Sequence, residues 1–379
     1  MIYKEFQGLK LSALGFGAMR LPTVNDDPNG AIDEERTAEM VAYAMDHGVN
    51  YFDTAYGYHD GQSEIVMGRV LRQYPRESYY LADKFPGYDL SNMDKVEAIF
   101  EEQLAKCGVE YFDFYLLHNV YEKNVDPYMD EKYGIVDYLL KQKAAGRIRH
   151  LGFSAHGRMD TMRRFLQAYG EDMEFCQIQL NYLDWTLQDA QKKVELLDAY
   201  HIPVWVMEPL RGGALAKLSE ENSSKLSALR PSETAPAWAF RFLQSLDSVK
   251  MVLSGMSSLE QMEENLKTYS EEKPLNETEM GILMEVAGSM LDILPCTACR
   301  YCTAHCPKEL DIPTLLSLYN ETRFSNGLIT HMAVDALDEE KRPSACIGCQ
   351  SCEAVCPQQL KISEAMADFV EKLSQPAGL

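Results

Sequence analysis

No apolar run in the chain approaches the ~20 residues that a membrane span needs. The first residues, Met1-Ile2-Tyr3-Lys4-Glu5, have neither the basic start nor the apolar stretch of a secretory signal. The expected location is therefore the cytoplasm. Basic residues are scarce: Lys plus Arg total 36 against 58 Asp plus Glu, a net charge of −22. That balance repels phosphate backbones and argues against nucleic acid as a partner. Hydrophobic residues make up 46%, enough for a buried core, so global disorder is excluded. At 379 residues the chain exceeds a single barrel of about 250 by more than a domain's margin, and two domains are expected. Cysteine is almost missing from the long N-terminal part, which holds only Cys107 and Cys176.

The other eight cysteines are crowded between Cys296 and Cys356. They form two runs, Cys296, Cys299, Cys302, Cys306-Pro307 and Cys346, Cys349, Cys352, Cys356-Pro357, with corresponding positions 50 residues apart. The offset marks an internal duplication. Each run reads C-x2-C-x2-C-x3-C-P, the spacing with which bacterial ferredoxins hold [4Fe–4S] clusters. Three closely spaced thiolates wrap one cubane, and the proline turns the chain away after the fourth. A disulfide framework is disfavoured in a cytosolic chain. Zinc usually takes separated C-x2-C pairs, and unligated cysteines would not repeat in register. Two [4Fe–4S] clusters are expected.

The insert between the runs has apolar positions three and four apart over residues 312–323 and 328–337, as does the segment 365–373. Residues 276–379 therefore read as a mostly helical two-cluster module that resembles the α-helical ferredoxins of multi-subunit reductases. In two-cluster ferredoxins the fourth cysteine of each run serves the other cluster. By that resemblance Cys296, Cys299 and Cys302 share a cluster with Cys356, and Cys346, Cys349 and Cys352 with Cys306.

Residues 1–275 alternate short apolar runs with amphipathic stretches. Strands are expected near residues 14–19 and at 50–54, 79–84, 112–118, 148–154, 175–180, 203–207 and 250–254. Helical patterns fall between them, as at 35–47, 64–73, 94–107 and 187–200. Eight such units fit a (β/α)8 barrel, and no G-x-G-x-x-G follows the first strand to suggest a doubly wound sheet. In a barrel, the carboxyl ends of the strands face the substrate. Here those ends carry Asp53, Lys84, His118, Ser154 and Gln177, with Asn181 just beyond.

With these residues on view, the first 270 or so resemble the aldo-keto reductases. The resemblance rests on Gly15-Phe16-Gly17-Ala18-Met19-Arg20-Leu21-Pro22, on Phe52-Asp53-Thr54-Ala55-Tyr56-Gly57-Tyr58, and on Ser63-Glu64 with Gly68. It continues through Lys84, Leu116-Leu117-His118, Gly152-Phe153-Ser154, Pro209-Leu210 with Gly212-Gly213, and Ser254-Gly255 with Glu263-Glu264-Asn265. Followed by the cysteine runs, the whole looks like the ferredoxin-fused branch of that family. The resemblance implies a catalytic tetrad of Asp53, Tyr58, Lys84 and His118. The family's spacing, five residues after the aspartate, implies Tyr58 and not its neighbour Tyr56. A tyrosine, with an ordinary pKa near 10, needs a neighbouring cation to act as an acid and base at neutral pH. Lys84 would supply it, Asp53 would orient the lysine, and His118 would direct the carbonyl. His59 and His156 are placed near the mouth.

The same resemblance implies a nicotinamide cofactor, NADH or NADPH. Ser154, Gln177 and Asn181 would hold its carboxamide, and Leu210, Arg211, Gly212 and Gly213 would cover its pyrophosphate. Gly255, Glu264 and Asn265 would hold the adenine end. Arg211 reads equally as a solvated loop charge. Departures from the family pattern include Ala155 beside Ser154, and Met207 where many members place an aromatic ring. Gln261 stands where NADP-preferring members have arginine, and neither Gly255 nor Met256 supplies a lysine. These departures weaken the usual preference for NADPH. A flavin between hydride and one-electron chemistry stays open, since a barrel mouth could bind one, although no flavin motif is present. The expected function is a small-molecule carbonyl–alcohol oxidoreductase, its clusters serving structure or electron transfer to a soluble carrier that the acidic surface would help to dock. The alternative is a redox-sensing or electron-transfer module in which the barrel binds a nucleotide and turns over little.

Overall fold

Short apolar runs bounded by turns, each too short for a helix, become parallel strands when both faces can be buried. Here they do so eight times. The computed structural model describes residues 1–27 and 30–378. It contains β1 (Tyr3–Phe6) and β2 (Leu9–Ser12), then β3 (Leu14–Gly17), β4 (Tyr51–Asp53), β5 (Tyr80–Phe85), β6 (Phe112–Val120), β7 (Ile148–Ala155), β8 (Cys176–Gln179), β9 (Val204–Met207) and β10 (Val249–Ser254). Strands β3 to β10 pair in sequence order, and β10 closes on β3, with Ser254 opposite Phe16. The (β/α)8 barrel read from the sequence is the fold.

Helices fill the intervals, several with built starts. Asp33 accepts from the Arg36 N–H at 3.1 Å ahead of Glu34–Asp46, and Thr234 caps Ala235–Gln244, which has proline in its first turn. The helical pattern at 187–200 is in fact two helices, Asp184–Leu187 and Ala190–Ala199. Asp189, at φ 53°, leaves the right-handed region and separates them.

Strands β1 and β2 form an antiparallel hairpin that the sequence pattern did not announce. Its two-residue turn, Gln7-Gly8, has φ of 48° and 83°, the twist that tight hairpins favour. Phe6 meets Trp205 at 5.0 Å, His150 at 5.1 Å and Phe114 at 5.8 Å between ring centroids. With Leu11, Tyr51, Phe175 and Met251, the residues Phe6, Phe114 and Trp205 form one buried cluster across the amino ends of the strands. Burying a side chain the size of Phe6 is worth about 1.5–3 kcal/mol. The hairpin plugs the floor of the barrel, so chemistry is confined to the opposite rim.

Gly68 shows how closely the outer layer packs. It lies in the helix Gln62–Leu71, and a Cβ there would fall 2.5 Å from the Cys107 carbonyl oxygen on Val96–Cys107. Gly68→Ala is expected to destabilise the barrel by about 1–3 kcal/mol, because backbone has to move. Urea unfolding measures it, and an unchanged midpoint would contradict this packing.

The chain divides into two compact units, Met1–Ile282 and Leu283–Leu379. The second is helical, with Ile312–Phe324, Leu328–Asp335 and Ile362–Leu373 built around Leu315, Leu316, Ile362, Met366 and Phe369. Its duplication extends to the backbone. Left-handed φ recurs at the same offset in Ala298 and Gly348, Arg300 and Gln350, and Glu309 and Gln359. Among the described residues no helix is long and apolar enough to cross a membrane.

Candidate functional site

Strand ends bring the candidate residues to one rim. Lys84 Nζ lies 2.5 Å from Asp53 Oδ1, 2.7 Å from the Thr54 carbonyl oxygen and 3.4 Å from the Tyr58 hydroxyl. Lys84 is fully buried and Asp53 is 3% exposed. Burial alone would weaken the lysine as a base, but Asp53 and Tyr58 outweigh that and hold it as an ammonium. Tyr58 is half-buried, and burial raises its pKa above the usual 10 although Lys84 pulls it down. Its proton therefore stays on at neutral pH. The His118 ring stands edge-on to Tyr58 at 6.0 Å and to Tyr88 at 5.1 Å. Burial, then Lys84 and His156, push its pKa well below 6.5, so the imidazole is neutral. Its Nδ1 is buried without a partner among the described residues. Tyr56 is turned away, its hydroxyl 3.2 Å from Glu102 and its ring under Lys106.

Behind Lys84, on the helix side of β5, lies a buried polar group that sequence reasoning did not single out. Asp83 Oδ1 accepts the Lys84 N–H at 2.8 Å and a Gln103 amide N–H at 2.9 Å. The same amide nitrogen donates to Glu64 at 3.0 Å and to the Lys84 carbonyl at 3.0 Å, while Tyr115 donates to Gln103 Oε1 at 2.5 Å. Lys106 reaches Glu64 at 3.1 Å. Burial, reinforced by Glu64, drives Asp83 well above the carboxylate range, so it keeps a proton. The only signal in the sequence was period-2 alternation, which sends Asp83 outward when Lys84 points in.

The cofactor candidates divide by what their polar atoms are doing. Ser154 Oγ accepts the Asn119 N–H at 2.7 Å, leaving its own proton to donate. Gln177 is buried with Oε1 unpartnered among the described residues, an acceptor suited to an amide N–H. Asn181 is saturated: its amide donates to Asp184 and to the Glu208 carbonyl, and its oxygen accepts from the Leu183 and Asp184 N–H groups. Asp184, wholly buried, also bonds Gln179 at 2.8 Å and pairs with Arg211. Arg211 is thus a buried ion-pair partner and not a solvated loop charge. Its loop turns through left-handed Gly212 and Gly213, at φ 62° and 95°, where the absent Cβ matters. Leu210 is half-buried before the turn. Around β10, Gly255 is exposed, Asn265 is buried with its amide 3.2 Å from Ser254 Oγ, and Glu264 is exposed.

In the second unit the eight thiols ring two cavities. Cys306, Cys346, Cys349 and Cys352 line one, and Cys296, Cys299, Cys302 and Cys356 line the other. Each cavity thus takes three cysteines from one run and the fourth from the other. Four thiols shared between the two runs around an otherwise apolar lining suit a [4Fe–4S] cubane. Cys107 and Cys176 are buried in the barrel.

Residues 13–287 match the model of the Aldo/keto reductase family. The chain belongs to that family. Residues 295–360 match the 4Fe-4S dicluster domain, so this member carries iron–sulfur binding at its C-terminal end. It is similar to the NADH-specific methylglyoxal reductase of Escherichia coli, with 26% identity over 74% of this chain and 96% of the relative. L-Galactose dehydrogenase of Arabidopsis thaliana shows 27% identity over 70% of this chain and 86% of its own. Against a probable aldo-keto reductase of Glycine max, 28% identical, the match spans 55% of this chain and 58% of the relative's. Among solved structures, aldo-keto reductase AKR11C1 from Bacillus halodurans superposes with a TM-score of 0.60 at 23% identity, covering 76% of this chain and 96% of that one. The Klebsiella pneumoniae aldo-keto reductase in complex with NADPH gives a TM-score of 0.61 at 20% identity, with 76% and 96% covered. Both share the barrel. The protein is an oxidoreductase of this family.

Proposed function

We propose that the barrel interconverts a carbonyl and an alcohol on a small molecule, with Tyr58 moving the proton and a nicotinamide dinucleotide as redox partner. The observation that carries this reading is the contact of Asp53, Lys84 and Tyr58 beside a neutral His118 at one rim. A bound reduced nicotinamide supplies the hydride that goes to the carbonyl carbon. Tyr58 gives its phenolic proton to the carbonyl oxygen, and the Lys84 ammonium steadies the phenolate that remains. Two of the lysine's three N–H groups are occupied by Asp53 and the Thr54 carbonyl, which leaves one for Tyr58. Neutral His118 orients the carbonyl without competing as an acid. In the reverse direction the phenolate takes the alcohol's proton.

For the dinucleotide, Gln177 Oε1 is suited to accept from the carboxamide and Ser154 to donate to it. Asn181 and Arg211 act through Asp184 to hold the loop from Leu210 to Gly213 over the pyrophosphate. Gly255, Glu264 and Asn265 border the adenine end. Each thiol cavity holds one [4Fe–4S] cluster. Cys299 and Cys349 are exposed, so each cavity has an edge at the surface, suited to one-electron exchange with a separate soluble carrier. Thiolate ligation of this kind fits a reducing cytoplasm.

Two measurements test the reading. Reduction needs the proton that burial keeps on Tyr58 above pH 10, whereas oxidation needs the phenolate. Reductive turnover should be level from about pH 6 to 9, and oxidative turnover should climb by up to about tenfold per pH unit. A reductive rate that falls across that window contradicts the assignment of Tyr58. Iron and acid-labile sulfide in anaerobically purified protein should approach about eight of each per chain. Two zincs and no sulfide would overturn the clusters.

A further inference from the structure

Arg20 lies just past β3, and Gly255 just past β10, the strand hydrogen-bonded beside it. A Cβ on Gly255 would meet the Cβ, Cγ and Cδ of Arg20 at 3.2–3.3 Å, so the arginine stem lies over the place from which a side chain at 255 would start. The turn carrying it is pinned on both sides. Ser257 Oγ donates to the Arg20 carbonyl at 2.9 Å, and the Leu21 N–H donates to His59 Nε2 at 3.1 Å. Yet Nη2 of Arg20 is buried with no hydrogen-bond partner among the described residues. A guanidinium N–H taken out of water and given no acceptor costs free energy, and an arriving anion removes that cost. Close by starts the 11-residue helix Leu259–Tyr269, which Ser258 caps at the Gln261 N–H and whose first turn already carries Glu260; its dipole favours negative charge.

Position in the barrel says which anion. The tetrad occupies the ends of β4 to β6, while Ser154 and Gln177 occupy β7 and β8. A dinucleotide with its nicotinamide over the mouth has the arc of β9, β10 and β3 left for its phosphates. We infer that Arg20 binds a phosphoryl oxygen of the nicotinamide dinucleotide and supplies the cation that Gly255, Met256 and Gln261 do not. This rests on the nicotinamide reading above.

The test is the dissociation constant of NADH and of NADPH, by calorimetry or fluorescence on the anaerobic, cluster-loaded full chain, for the unaltered protein and Arg20→Met. Methionine keeps an apolar stem over Gly255. Affinity should fall about ten- to hundredfold, the effect of removing a charge-assisted pair. An equal loss for both dinucleotides places Arg20 on the pyrophosphate, and a loss confined to NADPH places it on the 2′-phosphate. Arg20→Lys should keep part of the affinity, which separates lost charge from a damaged turn. If Arg20→Met binds both within about twofold of the unaltered protein, the inference is wrong while the nicotinamide reading stands. If the unaltered protein binds neither, the nicotinamide reading falls and this inference with it.

Discussion

Tyr58→Phe is expected to lower carbonyl reduction by about 10²–10⁴-fold, the span general acid catalysis supplies, with dinucleotide affinity unchanged. Phenylalanine retains the ring that meets His118 edge-on and loses only the hydroxyl 3.4 Å from Lys84. The loss should therefore fall on kcat, because a proton donated only in the transition state does not contribute to ground-state binding. Single-turnover measurements beside cofactor titrations check the split. If reduction continues at the original rate while electron transfer by the clusters is lost, the barrel is a nucleotide-binding module and its tetrad is not catalytic.

The second large effect concerns Lys84. Lys84→Met leaves Asp53 buried at 3% exposure with no cation, and breaking a buried pair this way costs about 3–5 kcal/mol. Methionine fills much the same volume, so the cost is electrostatic and not a cavity. Adding Asp53→Asn removes the stranded charge, and the double variant should regain a large part of that stability. Turnover should stay abolished in both, since neither retains the cation that steadies the Tyr58 phenolate. Chemical denaturation gives the first quantity and carbonyl reduction the second. A double variant no more stable than Lys84→Met would mean that the pair is not the source of the cost.

The eight barrel strands were legible because buried parallel strands are written as short apolar runs, and because polar residues at their ends break those runs visibly at Asp53, Lys84 and His118. The hairpin was not legible. Its two four-residue strands carry Lys4, Glu5 and Lys10 among few apolar residues, and Phe6 and Leu11 enter the floor with Leu9 packed against it. The cysteine runs announced themselves through spacing, whereas the crossing of Cys306 and Cys356 between cavities was implied only by the resemblance to two-cluster ferredoxins. Asp184 had no local signal, because its meaning depends on Arg211, 27 residues on. Gln103 likewise joins Glu64, Asp83 and Tyr115 from three other elements. Such groups are recognisable only once folding has made them neighbours. Arg20 stood in plain view inside a motif that marks the first strand, and its orphaned nitrogen gave it a separate meaning.

The aromatic plug beneath the barrel has a kinetic corollary. With Phe6 and Leu11 seated among Trp205, Phe114 and Phe175, the barrel is a cul-de-sac with one doorway. A dinucleotide and a carbonyl compound bound as proposed above would both enter and leave at that rim, since the floor offers no second way through.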